Sequence, residues 1–486
     1  MIKFNRERLY DKIYACWIGK NIGGTMGTPY EGSRALNDIS GFVTPPGEPL
    51  PNDDLDLQLV WLRAMDEVGI DKVDSKVLGE YWMSYVGPCW NEYGVCKANM
   101  ATGILPPLSG ELHNEEWKHS NGAWIRTEIW ASVFPGDPEN AIRYAFEDAC
   151  VDHGFGEGSY AAIFVAAMES AAFIIDDIHT LIRIGLSKIP TDCRVARSVR
   201  IVLDGHKQGL DWKTVREQLV EDSADLGWFQ APANVAFAIL GLLFGGCDFK
   251  KSMILAINCG DDTDCTGATV GALLGIMKGT AGIPEDWRQY IGDNIATIAI
   301  IRGTGYFPST CAQLTQCVMN LIPTANRTDN WSVIRGETKI ELTDGPDDFS
   351  EVTPESFLGS AFVDHMFQRS HYSYTVSNCY ATVLVEYETE PVITPGGSLK
   401  GRITVIPEKM ENQKHFQLRW VTPEGWHVAG RNSLFTAAPQ SAHTEHAFVD
   451  FTIVAGDTVA PTNRLIADLQ CMGRPAPILV PLTILG

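Results

Sequence analysis

No window of this 486-residue chain approaches the roughly 18 consecutive apolar residues that a membrane-spanning helix needs, so the sequence offers no transmembrane segment. An apolar signal core is also missing. The N-terminal stretch MIKFNRERLYDKIYACWIGKNIGG is charged throughout, which points to a cytoplasmic protein. Cysteine pairs are absent as well: the twelve cysteines are scattered without a CxxC motif, and Cys16 and Cys150 sit among apolar neighbours. That usage favours reduced, buried thiols and argues against zinc. Positive charge is scarce. With Lys and Arg at 38 against 60 Asp and Glu, the formal charge of −22 repels phosphate backbones and anionic bilayers, which disfavours nucleic acid and membrane surfaces as partners. The length exceeds what one hydrophobic core serves and predicts two or three domains.

Strand-like alternation is missing from the first 325 residues, where the apolar periodicity is helical. Helices are predicted near 6–20, 54–68, 74–86, 138–151, 158–176, 193–209, 213–220, 232–244, 249–257, 266–279 and 287–299. Near residue 325 the character changes. The stretches CYATVLVEYET, GSLKGRITVIP, FQLRWVTPEGW, HAFVDFTIVAG and NRLIADLQCMG each read as a strand bounded by turn residues. The expected fold is therefore multidomain: an all-α domain over residues 1–325, then an all-β sandwich of immunoglobulin or fibronectin type over 331–486.

What the helical region does have is aspartate, twice in the pattern D-D-x-D. NDDLDLQLVWL carries Asp53, Asp54 and Asp56, and GDDTDCTGATVGALLG carries Asp261, Asp262 and Asp264, each just before a helical apolar run. One aspartate suffices to cap a helix N-terminus. Three in the same place repel one another unless a cation offsets them. Hard oxygen donors without His or paired Cys point to Mg²⁺, Mn²⁺ or Ca²⁺, and six carboxylates from two segments suit two such ions. Neither segment has the twelve-residue loop of an EF-hand, which leaves a catalytic cleft as the reading. The stretch GPCWNEYGVCKANMATGILPPLSG, dense in Trp, Tyr, Asn, Gly and Pro, suits a loop lining a sugar or base pocket, with Trp90, Asn91, Tyr93 and Asn99 as candidate contacts or, alternatively, as plugs for the core beneath it.

These motifs resemble those of the ADP-ribosylglycohydrolase family. GDDTDCTGATVGALLG is similar to its second aspartate signature and NDDLDLQLVWL to its first metal motif. IGKNIGGTMGTPYEG resembles the opening motif through Gly19, Gly23, Gly27, Pro29 and Glu31; NGAWIRTEIW matches through Gly122, Ala123 and Arg126; DHGFGEGSYAAIFVAAM matches through His153. The match covers residues 1 to about 305 and leaves out the β region.

The resemblance implies an all-α hydrolase with a dinuclear Mg²⁺ or Mn²⁺ centre that cleaves an N- or O-glycosidic bond of an ADP-ribosyl group, carried on a small molecule or a protein. Carried over by position, the metal ligands are Asn52, Asp53, Asp54, Asp262, Asp264 and Cys265. Glu31, Asp54 and Asp262 are the catalytic candidates, and Gly122, Ala123, Arg126 and His153 join the substrate contacts. Arg126 has a second reading, a buried ion pair with Glu128 or another acid. The chain departs from the family pattern at Gly24, Asn52, Leu55 and Cys265, where the family has Asp, Thr, Thr and Thr. Two alternatives follow: a different glycoside as substrate, or a ligand-binding homologue without catalysis. Homo-oligomerisation stays open.

Overall fold

The computed structural model describes residues 2–301, 304–326, 340–359, 370–378, 380–407, 415–435 and 447–486, so the expected junction at 325–331 lies largely outside the described residues. The chain divides into two compact units, one of residues 1–97 and 110–367 and the other of 98–109 and 368–486.

The first unit is helical, and its central feature is a helix pair, Arg6–Gly27 against Thr263–Lys278. Both helices repeat glycine every fourth residue, at 19, 23 and 27 and at 267, 271 and 275, so each presents a stripe without side chains. The backbones consequently touch. A Cβ added at Gly23 would lie 2.0 Å from the Gly267 carbonyl oxygen, and one at Gly19 would lie 2.1 Å from that of Gly271. The Thr263 hydroxyl donates to the Gly27 carbonyl at 2.8 Å and locks the end of the crossing. This contact brings the end of the opening motif against the start of the second aspartate signature.

Three sequence expectations change. The helix expected over 287–299 spans only Glu285–Ile291, because Gly292 stops it at a φ of 74°. A strand, Ile2–Asn5, opens the otherwise helical unit and pairs in parallel with Ile340–Thr343. Finally, the stretch expected to be a loop between Gly87 and Gly110 contains a helix, Asn91–Ala101. Its buried stripe is Glu92, Tyr93, Cys96 and Asn99, helical spacing written in mostly polar letters that a hydrophobic pattern does not register.

The second unit contains two antiparallel sheets, which fits the expected multidomain layout. One has the strand order Ile478–Leu485, Thr462–Cys471, His415–Val421, Ser433–Phe435; the other has Ser373–Ser377, Ala381–Tyr387, Ser398–Pro407, Ala447–Val454, His427–Gly430. Strict alternation of buried and outward residues, as along Ala447–Val454, gives each strand one core face. Trp420 is half-buried and packs on Phe451, and Trp426 is buried in the core with its indole N–H donating to the Thr458 carbonyl. Among the described residues every cysteine is a free thiol, and no helix is long and apolar enough to cross a membrane.

Candidate active site

The two D-D-x-D segments meet, because each starts a helix that ends its chain approach at the same cavity. Asn52 caps the helix Asp53–Val68 by accepting from the Asp54 N–H at 2.7 Å. Asp262 occupies the cap position of Thr263–Lys278 but makes no capping bond, which leaves its carboxylate for the cavity. A cavity of about 440 Å³ opens between them. Glu31, Asn52, Asp53, Asp262, Asp264 and Cys265 line one part, and Trp90, Asn91, Glu92, Tyr93 and Gly122 another.

Each aspartate trio divides its labour. Asp56 turns from the cavity and accepts the backbone N–H groups of Ile298 and Ala299, fixing the loop whose Ile298 forms part of the wall. Asp261, held at a φ of 66°, accepts the Phe229 N–H at 3.0 Å and so positions the wall residue Phe229. Asp53, Asp262 and Asp264 line the cavity, whereas Asp54 is fully buried beside Lys20 and does not. The Tyr93 hydroxyl donates to Asp53 at 2.7 Å, the Asn121 amide donates to Asp262 at 2.6 Å, and the Asn52 amide donates to Asp264 at 3.2 Å.

Three buried oxygens, Asp54 Oδ1, Asp262 Oδ1 and Asp264 Oδ1, accept no hydrogen bond. Burial, with Glu31 and Asp54 adding like charge, pushes the Asp262 carboxyl up to about 8. Burial likewise drives Asp54 and Asp264 far above the ordinary carboxylate range, and raises Glu31 and Asp53. Crowded anions with orphaned oxygens are what a hard divalent cation relieves, so the donor set fits Mg²⁺ or Mn²⁺. At the aspartate motifs two groups bring their ligand atoms within 4.8 Å of one another, Glu31 with Asp262 and Asp264, and Asp54 with Asp264 and Cys265; a third such group, outside the motifs, is Glu92 with Asp152 and His153.

The expected ligands are not equivalent in this geometry. Asn52 spends its oxygen on the helix cap and turns its N–H toward Asp264. A Cβ at residue 24 would lie 2.5 Å from the Asn52 amide nitrogen, the end of a side chain that would have to turn aside to admit it. Cys265 is a neutral thiol, raised by burial, that donates to Asp54 at 3.5 Å. Leu55 is buried in the core.

Of the expected substrate contacts, Trp90, Asn91, Tyr93 and Gly122 line the cavity; Asn99, Ala123, Arg126 and His153 do not. Arg126 is fully buried, with its guanidinium on Asp148 at 2.9 Å and Asp152 at 2.8 Å, so the ion-pair reading holds with different acids from the Glu128 considered. His153 is equally buried, 2.8 Å from Asp152 on one side and 3.0 Å from the Ser120 hydroxyl on the other. It stands behind the wall residues Ser120 and Glu92. Asn99 turns its amide to the Ser109 carbonyl at 2.8 Å.

Sequence reasoning missed Glu92, Ser120, Asn121 and Phe229. Glu92 is buried in the wall and pushed up to about 7 by burial, with His153 pulling the other way. Asn121 adjoins the matched Gly122, and Glu92 adjoins Asn91, so proximity to a motif was the available signal. Gly122 is required here: a Cβ would lie 2.3 Å from a Glu92 carboxylate oxygen.

The family described as ADP-ribosylglycohydrolase matches residues 5–311. Among solved structures the chain is similar to an ADP-ribosylglycohydrolase-related protein complex, at 20% identity over 66% of this chain and 99% of that one, with a TM-score of 0.47. No curated protein matches. The family match spans more than half of the chain, and this protein therefore belongs to the ADP-ribosylglycohydrolase family.

Proposed function

We propose that the protein is a metal-dependent hydrolase that cleaves an N- or O-glycosidic bond, with an ADP-ribosyl or related ribosyl group as substrate. The observation that carries this reading is the pair of unpartnered buried carboxylate oxygens, Asp262 Oδ1 and Asp264 Oδ1, in the wall of a cavity that Glu31, Asp53, Trp90 and Tyr93 also line. A bound divalent cation supplies positive charge against which vicinal sugar hydroxyls are oriented. Glu31, Asp262 and Asp264 hold it.

The chain's own residues do the rest. The Trp90 ring, 45% exposed and stacked on Tyr93 at 6.2 Å, offers a flat face to a sugar or base. Glu92, near half protonation at neutral pH, gives its proton to the leaving atom as the glycosidic bond breaks. Glu31 takes a proton from the water that bonds to the anomeric carbon, so the two carboxyls share the acid and base roles that glycoside hydrolysis needs.

One observation favours a second substrate class. Among the described residues lining the cavity none is Lys, Arg or His, so a diphosphate finds no cationic side chain there, whereas a neutral glycoside or nucleoside loses nothing. The experiment is release of ADP-ribose from ADP-ribosylated arginine and serine peptides, with Mg²⁺ and then with EDTA, beside a panel of neutral nucleosides and glycosides. Metal-dependent release from the peptides supports the first reading, and turnover confined to neutral substrates supports the second. A metal-loaded protein inert toward both sets leaves the ligand-binding alternative.

A further inference from the structure

The two candidate ligand groups differ in one respect that the aspartate motifs conceal. Lys20, on the glycine-striped helix Arg6–Gly27, is 1% exposed and points its ammonium at the back of the cluster. It donates to the Ile125 carbonyl and to Glu128, each at 2.7 Å, and lies 3.6 Å from Asp54 Oδ1. Glu128 is held in turn by Gln58 at 2.8 Å, and Gln58 also accepts the Ile129 N–H at 2.7 Å, so the ammonium sits in a closed, fixed network.

The inner group is therefore already served. Of the two Asp54 oxygens, one faces the Lys20 ammonium and the other accepts the Cys265 thiol. The thiol is a soft donor already turned to Asp54, and a hard cation selects against it. A divalent ion beside Asp54 would also stand against a fixed positive charge at close range in a site shielded from water. The outer group has no such neighbour: Asp262 Oδ1 and Asp264 Oδ1 are buried and unpartnered, and neither carboxylate forms an ion pair among the described residues. Glu31 completes that group at the exposed side, where an ion can enter.

We propose that this chain binds a single divalent cation, at Glu31, Asp262 and Asp264, and that the Lys20 ammonium beside Asp54 supplies the positive charge that a second ion would bring. The inference rests on the metal-dependent reading above and narrows it from two ions to one. It also assigns Lys20 as a positioning residue for Asp54 rather than as a group that touches substrate.

The test is the number of Mn²⁺ ions bound per full-length chain, by equilibrium dialysis with elemental analysis, read together with the electron paramagnetic resonance of the bound ions. One ion with an uncoupled six-line spectrum is expected, with any second ion binding at least about 100-fold more weakly, as a fixed like charge nearby demands. Two tightly bound ions with an exchange-coupled spectrum would overturn the proposal while leaving metal dependence intact. No bound ion would overturn both. The paired variant Lys20→Met with Glu128→Gln removes the ammonium together with its buried counter-charge, and adding Cys265→Thr restores a hard donor. This triple variant is expected to take up a second ion; a folded triple variant that still binds only one would show that Lys20 is not the cause. The stoichiometry of the unaltered protein decides the main point even where the variant fails to fold.

Discussion

Replacing Gly23 by Ala tests the frame on which the site is built, because two physical effects of known size oppose each other there. Alanine is the better helix former by about 1 kcal/mol, which on its own stabilises the helix Arg6–Gly27. Against this, the new Cβ would meet the Gly267 carbonyl oxygen at 2.0 Å and its carbon at 2.1 Å. Those atoms are backbone of the partner helix and have no rotamer to change. Ordinary contact requires roughly 3.5 Å, so the helices must part by about 1.5 Å, and overpacking of this kind costs about 3 kcal/mol at the upper end of its range. The net expectation is a loss of about 2 kcal/mol, or a fall of roughly 3 °C in the melting of the helical unit.

The same separation carries Asp262 and Asp264 away from Glu31, so the affinity for a divalent cation should fall by at least about tenfold. Far-UV circular dichroism at the helical band follows the first effect, and calorimetric titration with Mn²⁺ follows the second. Gly24→Ala is the companion. At that position the only close neighbour is the Asn52 side chain, which can turn aside at the cost of its hydrogen bond to Asp264. Its melting temperature should barely change while cation affinity shifts. A Gly23→Ala protein as stable as the original, with unaltered affinity, would refute the claim that the glycine crossing sets the spacing of the ligands.

Asp262→Asn should abolish cation-induced thermal stabilisation, yet leave the metal-free protein as stable or more so, since it removes one of several mutually repelling buried carboxylates; a melting curve with and without Mg²⁺ checks both halves. Glu92→Gln should lower kcat by 10²- to 10⁴-fold and erase the fall in rate as pH rises through about 7, where Glu92 loses its proton. Because that carboxyl is raised above its ordinary 4.5, the folded protein binds the extra proton between about 4.5 and 7, so stability falls as pH rises through that window and Glu92→Gln flattens the slope. Arg126→Met should destabilise by about 3–5 kcal/mol, as it strands Asp148 and Asp152 without their partner; an intact melting temperature with a raised KM would instead return Arg126 to the substrate.

Much of the fold was legible because its signals are local. Amphipathic spacing marks helices such as Pro138–Asp152, and alternation marks strands such as Ala447–Val454. The helix Asn91–Ala101 escaped because its buried side is made of Glu92, Tyr93 and Asn99, groups that are buried by virtue of partners elsewhere in the chain. Tyr93 is satisfied by Asp53, 40 positions away along the chain, and nothing within the local window announces that bond. The helix expected over 287–299 stops at Gly292, and beyond it Asp56, far away in the sequence, takes the backbone N–H groups of Ile298 and Ala299.

The site shows the same limit more sharply. Two D-D-x-D motifs were enough to bring Asp53, Asp262 and Asp264 to one cavity, but the pattern alone does not say what the remaining acids do. At a helix N-terminus consecutive side chains diverge by about 100° per residue, so three acids in four positions cannot all face one point. Asp56 and Asp261 are turned away, and each is used to hold a wall residue, Ile298 and Phe229, by its backbone N–H. The third acid of each motif is thus better understood as scaffold than as a spare ligand. That division explains why the motif is longer than a cation requires, and it separates the roles by experiment: Asp56→Asn and Asp261→Asn should alter the cavity wall, and hence KM, while leaving the number of bound ions unchanged. A loss of bound metal in either variant would return these residues to the ligand set.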